Sequence, residues 1–211
     1  MLYFAVVIRF TCEYNGKDFF GFQRLPKGKG RSVQQVLEQA LSAALGEPIE
    51  IAGSGRTDSG VHARMQVCSL SISSPPWRGG VAQATTGWLR LCARINASLP
   101  PDVSVRDFQV APDDFHARYS VKSKTYLYRI YISPQSSPTR DDNYARLNKM
   151  PENLVTADPR VRIEWKDDEI WFWVTGRGFN YKEVRKLVGQ IIYGKPTVMP
   201  ANGLTLWKVE Y

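Results

Sequence analysis

The chain has 211 residues, 43% of them hydrophobic and 23% charged, and its 28 Lys+Arg against 20 Asp+Glu leave a net charge of +8. That length holds one large domain or two smaller ones sharing a core, the composition is ordinary for a soluble globular protein, and the surplus of cations suits a polyanionic partner such as nucleic acid. Three scattered cysteines (Cys12, Cys68, Cys92) without a CxxC pair point to buried thiols in a reducing, intracellular compartment, cytoplasmic or mitochondrial, and with His62 and His116 outside any Cys/His cluster no metal is expected.

No apolar run approaches the roughly 20 residues of a transmembrane helix, so no membrane is expected as a partner. The opening MLYFAVVIRF lacks the basic region and cleavage site of a signal peptide and reads directly as a strand. Over residues 3–13, Phe4, Val6, Ile8, Phe10 and Cys12 alternate with Ala5, Val7, Arg9, Thr11 and Glu13, the pattern of a half-buried strand. Tyr14-Asn15-Gly16-Lys17 is a turn. FFGFQR (19–24) is dense in aromatics and ends in a cation, and KGKGR (27–31) is a basic, flexible link.

Ser32 to Leu45 is the clearest helix, with Val33, Val36, Leu37, Ala40, Leu41, Ala44 and Leu45 on one face, Ser32 and Gln35 as a capping box and Gly46 as the stop. Ile49–Ala52 and Gln66–Ile72 are predicted strands, and 73–80 a surface turn. Val81–Ala97 is a second helix burying Trp88, Leu91, Cys92 and Ile95, and Val103–Phe108 another strand. The polar stretch 111–118 marks a boundary between residues 1–111 and 112–211. Beyond it Lys124–Ile132 alternates, with Tyr126, Tyr128, Ile130 and Ile132 on one face. Residues 133–160 hold four prolines and few apolar residues and are predicted to lack regular structure. A hairpin over 161–165 and 169–175, a helix over 179–193 with Lys182, Arg185 and Lys186 on its rim, and a closing strand over 204–211 complete an α+β chain.

The candidate chemistry centres on GSGRTDSGVHA (53–63), whose glycines deny it regular structure. Asp58 in such a loop either turns back onto its own backbone or presents a carboxylate that a nearby cation keeps ionised, which makes a competent nucleophile. Arg56 either pairs with that carboxylate or binds phosphate. Tyr126 packs on the strand or stacks on a base. Arg185 is a solvated helix cation or the partner of Asp58. His62 and His116 suit loop-fixing roles.

Residues 53–67, GSGRTDSGVHARMQV, closely resemble the GRTDxGVHA signature of the TruA-type pseudouridine synthases. FFGFQR (19–24), SVQQVLEQAL (32–41), ASLPPDVSV (97–105), DDFHARYSVKSKTYLYRI (113–130), FNYKEVRKLVGQII (179–192) and PANGLTLWKVEY (200–211) resemble further family blocks in the same order. The resemblance implies two ferredoxin-like, RRM-like halves, 1–111 carrying the catalytic loop and 112–211 completing the cleft, with joined antiparallel sheets and helices on one face. It implies conversion of uridine to pseudouridine in tRNA or another structured RNA without cofactor. Asp58 would be the catalytic aspartate, Tyr126 the tyrosine that stacks on the target base, and Arg185 the cation paired with Asp58. Arg56, Arg24, His62, Arg118, Lys182 and Lys186 would meet RNA. The family also implies a homodimer. It usually carries longer segments where this chain has 133–160 and 194–202. A catalytically quiet RNA-binding assembly factor, working with ribonucleoprotein partners in ribosome biogenesis, is the rival reading.

Overall fold

A computed structural model describes residues 6–73, 81–151 and 154–211. Residues 74–80 of the turn predicted over 73–80, and the first alternating residues, Phe4 and Ala5, lie outside them. The order is β1 (Val6–Tyr14), α1 (Val33–Leu45), β2 (Ala52–Gly53), β3 (His62–Ile72), α2 (Val81–Ser98), β4 (Val103–Val110), β5 (Ser123–Ile132), β6 (Ala145–Leu147), β7 (Val161–Lys166), β8 (Glu169–Gly176), α3 (Glu183–Tyr193) and β9 (Leu204–Glu210).

The strands form one sheet in the order β4-β1-β3-β9-β5-β8-β7, with β2 added to β3 and β6 to β5. On each side of β3/β9 the long pairings are antiparallel. The seam itself is parallel and short: His62 opposes Thr205 and Ala63 opposes Leu206. A mixed α+β fold follows, as expected, but two antiparallel runs meet through a parallel junction.

Local chemistry explains the elements. Ser32 caps α1 by accepting from the Gln35 N–H at 3.3 Å, and its hydroxyl also donates to the Gln35 side chain at 2.7 Å. Gly46 closes the helix in the left-handed region. The buried stripe Val33, Leu37, Ala40, Leu41 and Ala44 joins the main core. Phe10 of β1 stacks on Phe108 of β4 at 4.8 Å, and Trp88 of α2 stacks on Phe108 at 5.9 Å, so α2 packs on the Phe10 face of the sheet. Arg31, the end of the basic link, is structural: it makes a bidentate pair with Asp102 at 2.7 and 2.9 Å and lies over the Phe19 ring at 4.1 Å.

Several boundaries differ from expectation. The strand predicted at 49–52 shrinks to Ala52–Gly53. The strand leaving the 53–63 loop starts at His62, four residues early. Residues 133–160 contribute β6, which pairs with β5 in parallel. Helix α3 starts at Glu183, because Lys182 takes a left-handed φ of 58° and the Glu183 carboxylate instead accepts from the Asn180 N–H at 2.7 Å.

Candidate active site

The loop from Ser54 to Val61 is clamped at both ends and in its middle. Gln66 of β3 accepts from the Ser54 hydroxyl and donates to the Gly55 carbonyl at 2.7 Å. The Thr57 hydroxyl meets the Tyr14 phenol at 2.8 Å, inside the core. The FFGFQR segment lies alongside: Phe22 N–H donates to the Thr57 carbonyl at 3.1 Å, and Gly60 N–H donates to the Phe19 carbonyl at 3.3 Å. Gly21 permits this approach. Its φ is +100°, and a Cβ there would sit 2.7 Å from the Thr57 carbonyl oxygen. The aromatic segment and the loop therefore form one rigid unit.

Asp58 projects from that unit and meets Arg185 of α3 across 3.4 Å. Arg185 is itself held by its Nε donating to the Met199 carbonyl at 2.6 Å. The side chains are 24% and 12% exposed, so the pair is sheltered, and of the two Asp58 lines the cleft. Tyr126 of β5 lies in the same cleft, 7% exposed, with Phe179 edge-on at 5.3 Å. Burial, and secondarily the Asp58 charge, push its phenol well above the ordinary tyrosine range. Tyr126 therefore keeps its proton at neutral pH.

The cleft encloses about 510 Å³. Asp58 and Tyr126 line it together with Arg56, Arg118 and Lys182 from the expected RNA-facing set. Lys186 is exposed on the next turn of α3, outside the lining. Arg24 and His62 are elsewhere. Arg24 pairs with Glu38 at 2.8 Å and Glu50 at 3.3 Å, and those carboxylates occupy its guanidinium. His62 lines a separate cavity of about 380 Å³ beside the seam, with Arg64, Arg129 and Trp207. Its Nδ1 accepts from the Gly16 N–H at 3.1 Å, which ties the start of β3 to the turn after β1. Burial, then the Arg129 charge, lower its pKa.

The sequence reading passed over four groups in the cleft: Lys124, Arg177, Tyr119 and Tyr181. Lys124 is two residues from Tyr126 on the same strand face, and that parity is the signal that could have found it. Tyr119 and Tyr181 are large exposed rings, each with a neighbouring cation over its face, Arg118 at 5.9 Å and Lys182 at 4.7 Å. A cationic rim, exposed aromatic rings and a sheltered carboxylate suit a nucleotide drawn out of its strand.

A family model described as tRNA pseudouridine synthase matches residues 11–120. A tRNA pseudouridine synthase A of Syntrophotalea carbinolica is 43% identical over 136 residues, which covers 63% of this chain and 48% of that protein. Relatives of the same name from Bdellovibrio bacteriovorus and Geobacillus sp. strain WCH70 are each 32% identical. Their alignments cover 97% of this chain and 94% and 98% of those proteins. The last two run over 257 and 259 positions, more than this chain's 211 residues, so both carry gaps within it.

Proposed function

We propose, since the chain belongs to the tRNA pseudouridine synthase family, that it converts uridine to pseudouridine in tRNA, with Asp58 as the catalytic carboxylate. The observation that supports this role is the sheltered Asp58–Arg185 pair beside Tyr126 in a cation-rimmed cleft. Residues 1–111 and 112–211 are the two halves in this reading, meeting at the short β3/β9 seam.

The reaction breaks the N1–C1′ bond, turns the uracil, and forms a C5–C1′ bond. The C5 proton leaves and N1 gains one, so the change is an isomerisation needing no oxidant or second substrate. Asp58 either attacks C1′ or removes a sugar proton. Both uses neutralise its charge. Tyr126 then loses the anion that helps hold its phenol protonated, while burial still favours the neutral form. In the free protein Tyr126 is thus a stacking surface and a neutral hydrogen-bond donor. Arg185 keeps Asp58 ionised until then, and Arg56, Arg118 and Lys182 hold phosphates around the flipped nucleotide.

A second reading, a fold kept for ribonucleoprotein assembly without turnover, draws support from the gaps in the long alignments. The deciding experiment incubates the purified protein with tRNA transcript carrying [5-³H]uridine. Tritium released by the wild type and abolished in Asp58→Asn, with tRNA binding retained, supports catalysis. Binding without release by the wild type overturns it in favour of the second reading.

A further inference from the structure

We propose that Lys124 holds a backbone phosphate of the target nucleotide itself, making it a substrate-positioning residue of the same site. The inference rests on the reading just given.

Lys124 precedes Tyr126 by two residues on β5, so both side chains emerge on one face, roughly 7 Å apart along the strand. Its stem crosses onto the catalytic loop at Gly55. A Cβ at Gly55 would lie 2.9 Å from the Lys124 Nζ and 3.6 Å from its Cε. The ammonium thus lies over Gly55, between the loop that carries Asp58 and the strand that carries Tyr126, and Lys124 and Gly55 both line the cleft.

Its electrostatic position is unusual. Among the described residues the Lys124 ammonium has no hydrogen-bond or ion-pair partner, although the residue is half-buried. The two carboxylates lining the cleft are already engaged, Asp58 by Arg185 and Glu183 by Arg160 at 2.7 Å. The neighbouring charge is another cation, Arg118. Burial, and then Arg118, lower the Lys124 pKa. A half-desolvated cation beside a like charge is disfavoured until an anion arrives. The exposed cations of the rim, Arg56, Arg118 and Arg177, remain hydrated without one. A nucleotide whose base rests on Tyr126 and whose sugar faces Asp58 brings one phosphodiester within reach of the inner cation. Lys124 then fixes C1′ relative to Asp58, whereas the rim cations track neighbouring phosphates.

The test uses a tRNA transcript that the wild type modifies, reassembled with one uncharged methylphosphonate, placed in turn 5′ or 3′ of the target uridine. Binding is measured by anisotropy at several salt concentrations with wild type, Lys124→Met and, as control, Arg56→Met. Lys124→Met is expected to weaken binding of unmodified RNA about tenfold and to lower the salt slope by about 1. One of the two methylphosphonates should produce a similar loss with the wild type and no further loss with Lys124→Met, while Arg56→Met adds its full loss. Gly55→Ala, which crowds the ammonium without removing it, should weaken unmodified RNA and spare that same methylphosphonate RNA. Losses for Lys124→Met that add to both methylphosphonates, or no loss at all, overturn the assignment. Absence of tritium release by the wild type removes instead the reading on which it rests.

Discussion

Tyr14 and Thr57 share a 2.8 Å hydrogen bond buried in the core, and this contact ties the Asp58 loop to the first strand. Tyr14→Phe leaves the Thr57 hydroxyl without that partner in a dry site. The expected loss is about 1–3 kcal/mol of folding stability, read from urea midpoints at unchanged slope. Turnover should fall as well, because Asp58 is the residue after Thr57. A variant with unaltered midpoint and rate would show that the loop is held by its backbone contacts alone.

Gly21→Ala meets two penalties at once. The left-handed backbone costs an L-residue roughly 1–2 kcal/mol, and the new methyl would press on the Thr57 carbonyl. Thermal unfolding should drop by several degrees, and activity should fall more steeply than for Gly28→Ala. Gly28 is also at positive φ, but a methyl added there would meet nothing within 4 Å.

Tyr126→Phe keeps the ring against Phe179 and removes the phenol. RNA affinity should change less than twofold while the turnover rate falls about 100-fold or more, the contribution of a positioned proton-transfer group. Tyr126→Leu should lose both, with affinity lower by about 1–3 kcal/mol for the missing base stack. Equal rates for the wild type and Tyr126→Phe would leave the residue a stacking surface only.

His62 makes stability depend on pH. Its folded pKa lies below the ordinary 6.5, so between those two values the unfolded chain binds more protons than the folded one. The contribution is fully present above about pH 6.5 and declines as pH falls through that value toward the folded pKa. Urea midpoints at pH 7 and pH 5.5 should therefore differ more for the wild type than for His62→Gln, whose amide oxygen can still accept from the Gly16 N–H. Parallel curves would sink the assignment.

Helix α1 is readable from residues because its cap, apolar stripe and stop all lie within fifteen consecutive positions. The Asp58 loop is readable for a similar reason: its glycines and charges are adjacent. What holds them is not local. Arg185 meets Asp58 from a helix that starts four positions later than its apolar period suggests, since the Glu183 carboxylate caps Asn180 and leaves Lys182 left-handed. Strand β6 is three residues long, too short for alternation to register. The parallel seam has no sequence period at all. Arg24 looks like an RNA contact in the linear chain, and only the fold brings Glu38 and Glu50 to it. Lys124 reads as a solvated strand end until Gly55 is seen beneath its ammonium.

The seam also sets an order of events. Asp58 and Arg185 are 127 positions apart in the chain, and the strands that bring their halves together share two residue pairs. Closing so large a loop is slow, so the Asp58–Arg185 pair is expected to form late in folding, after each antiparallel run has settled. Rising denaturant should accordingly extinguish turnover before the sheet's circular dichroism changes, and refolding should restore the spectrum before the activity.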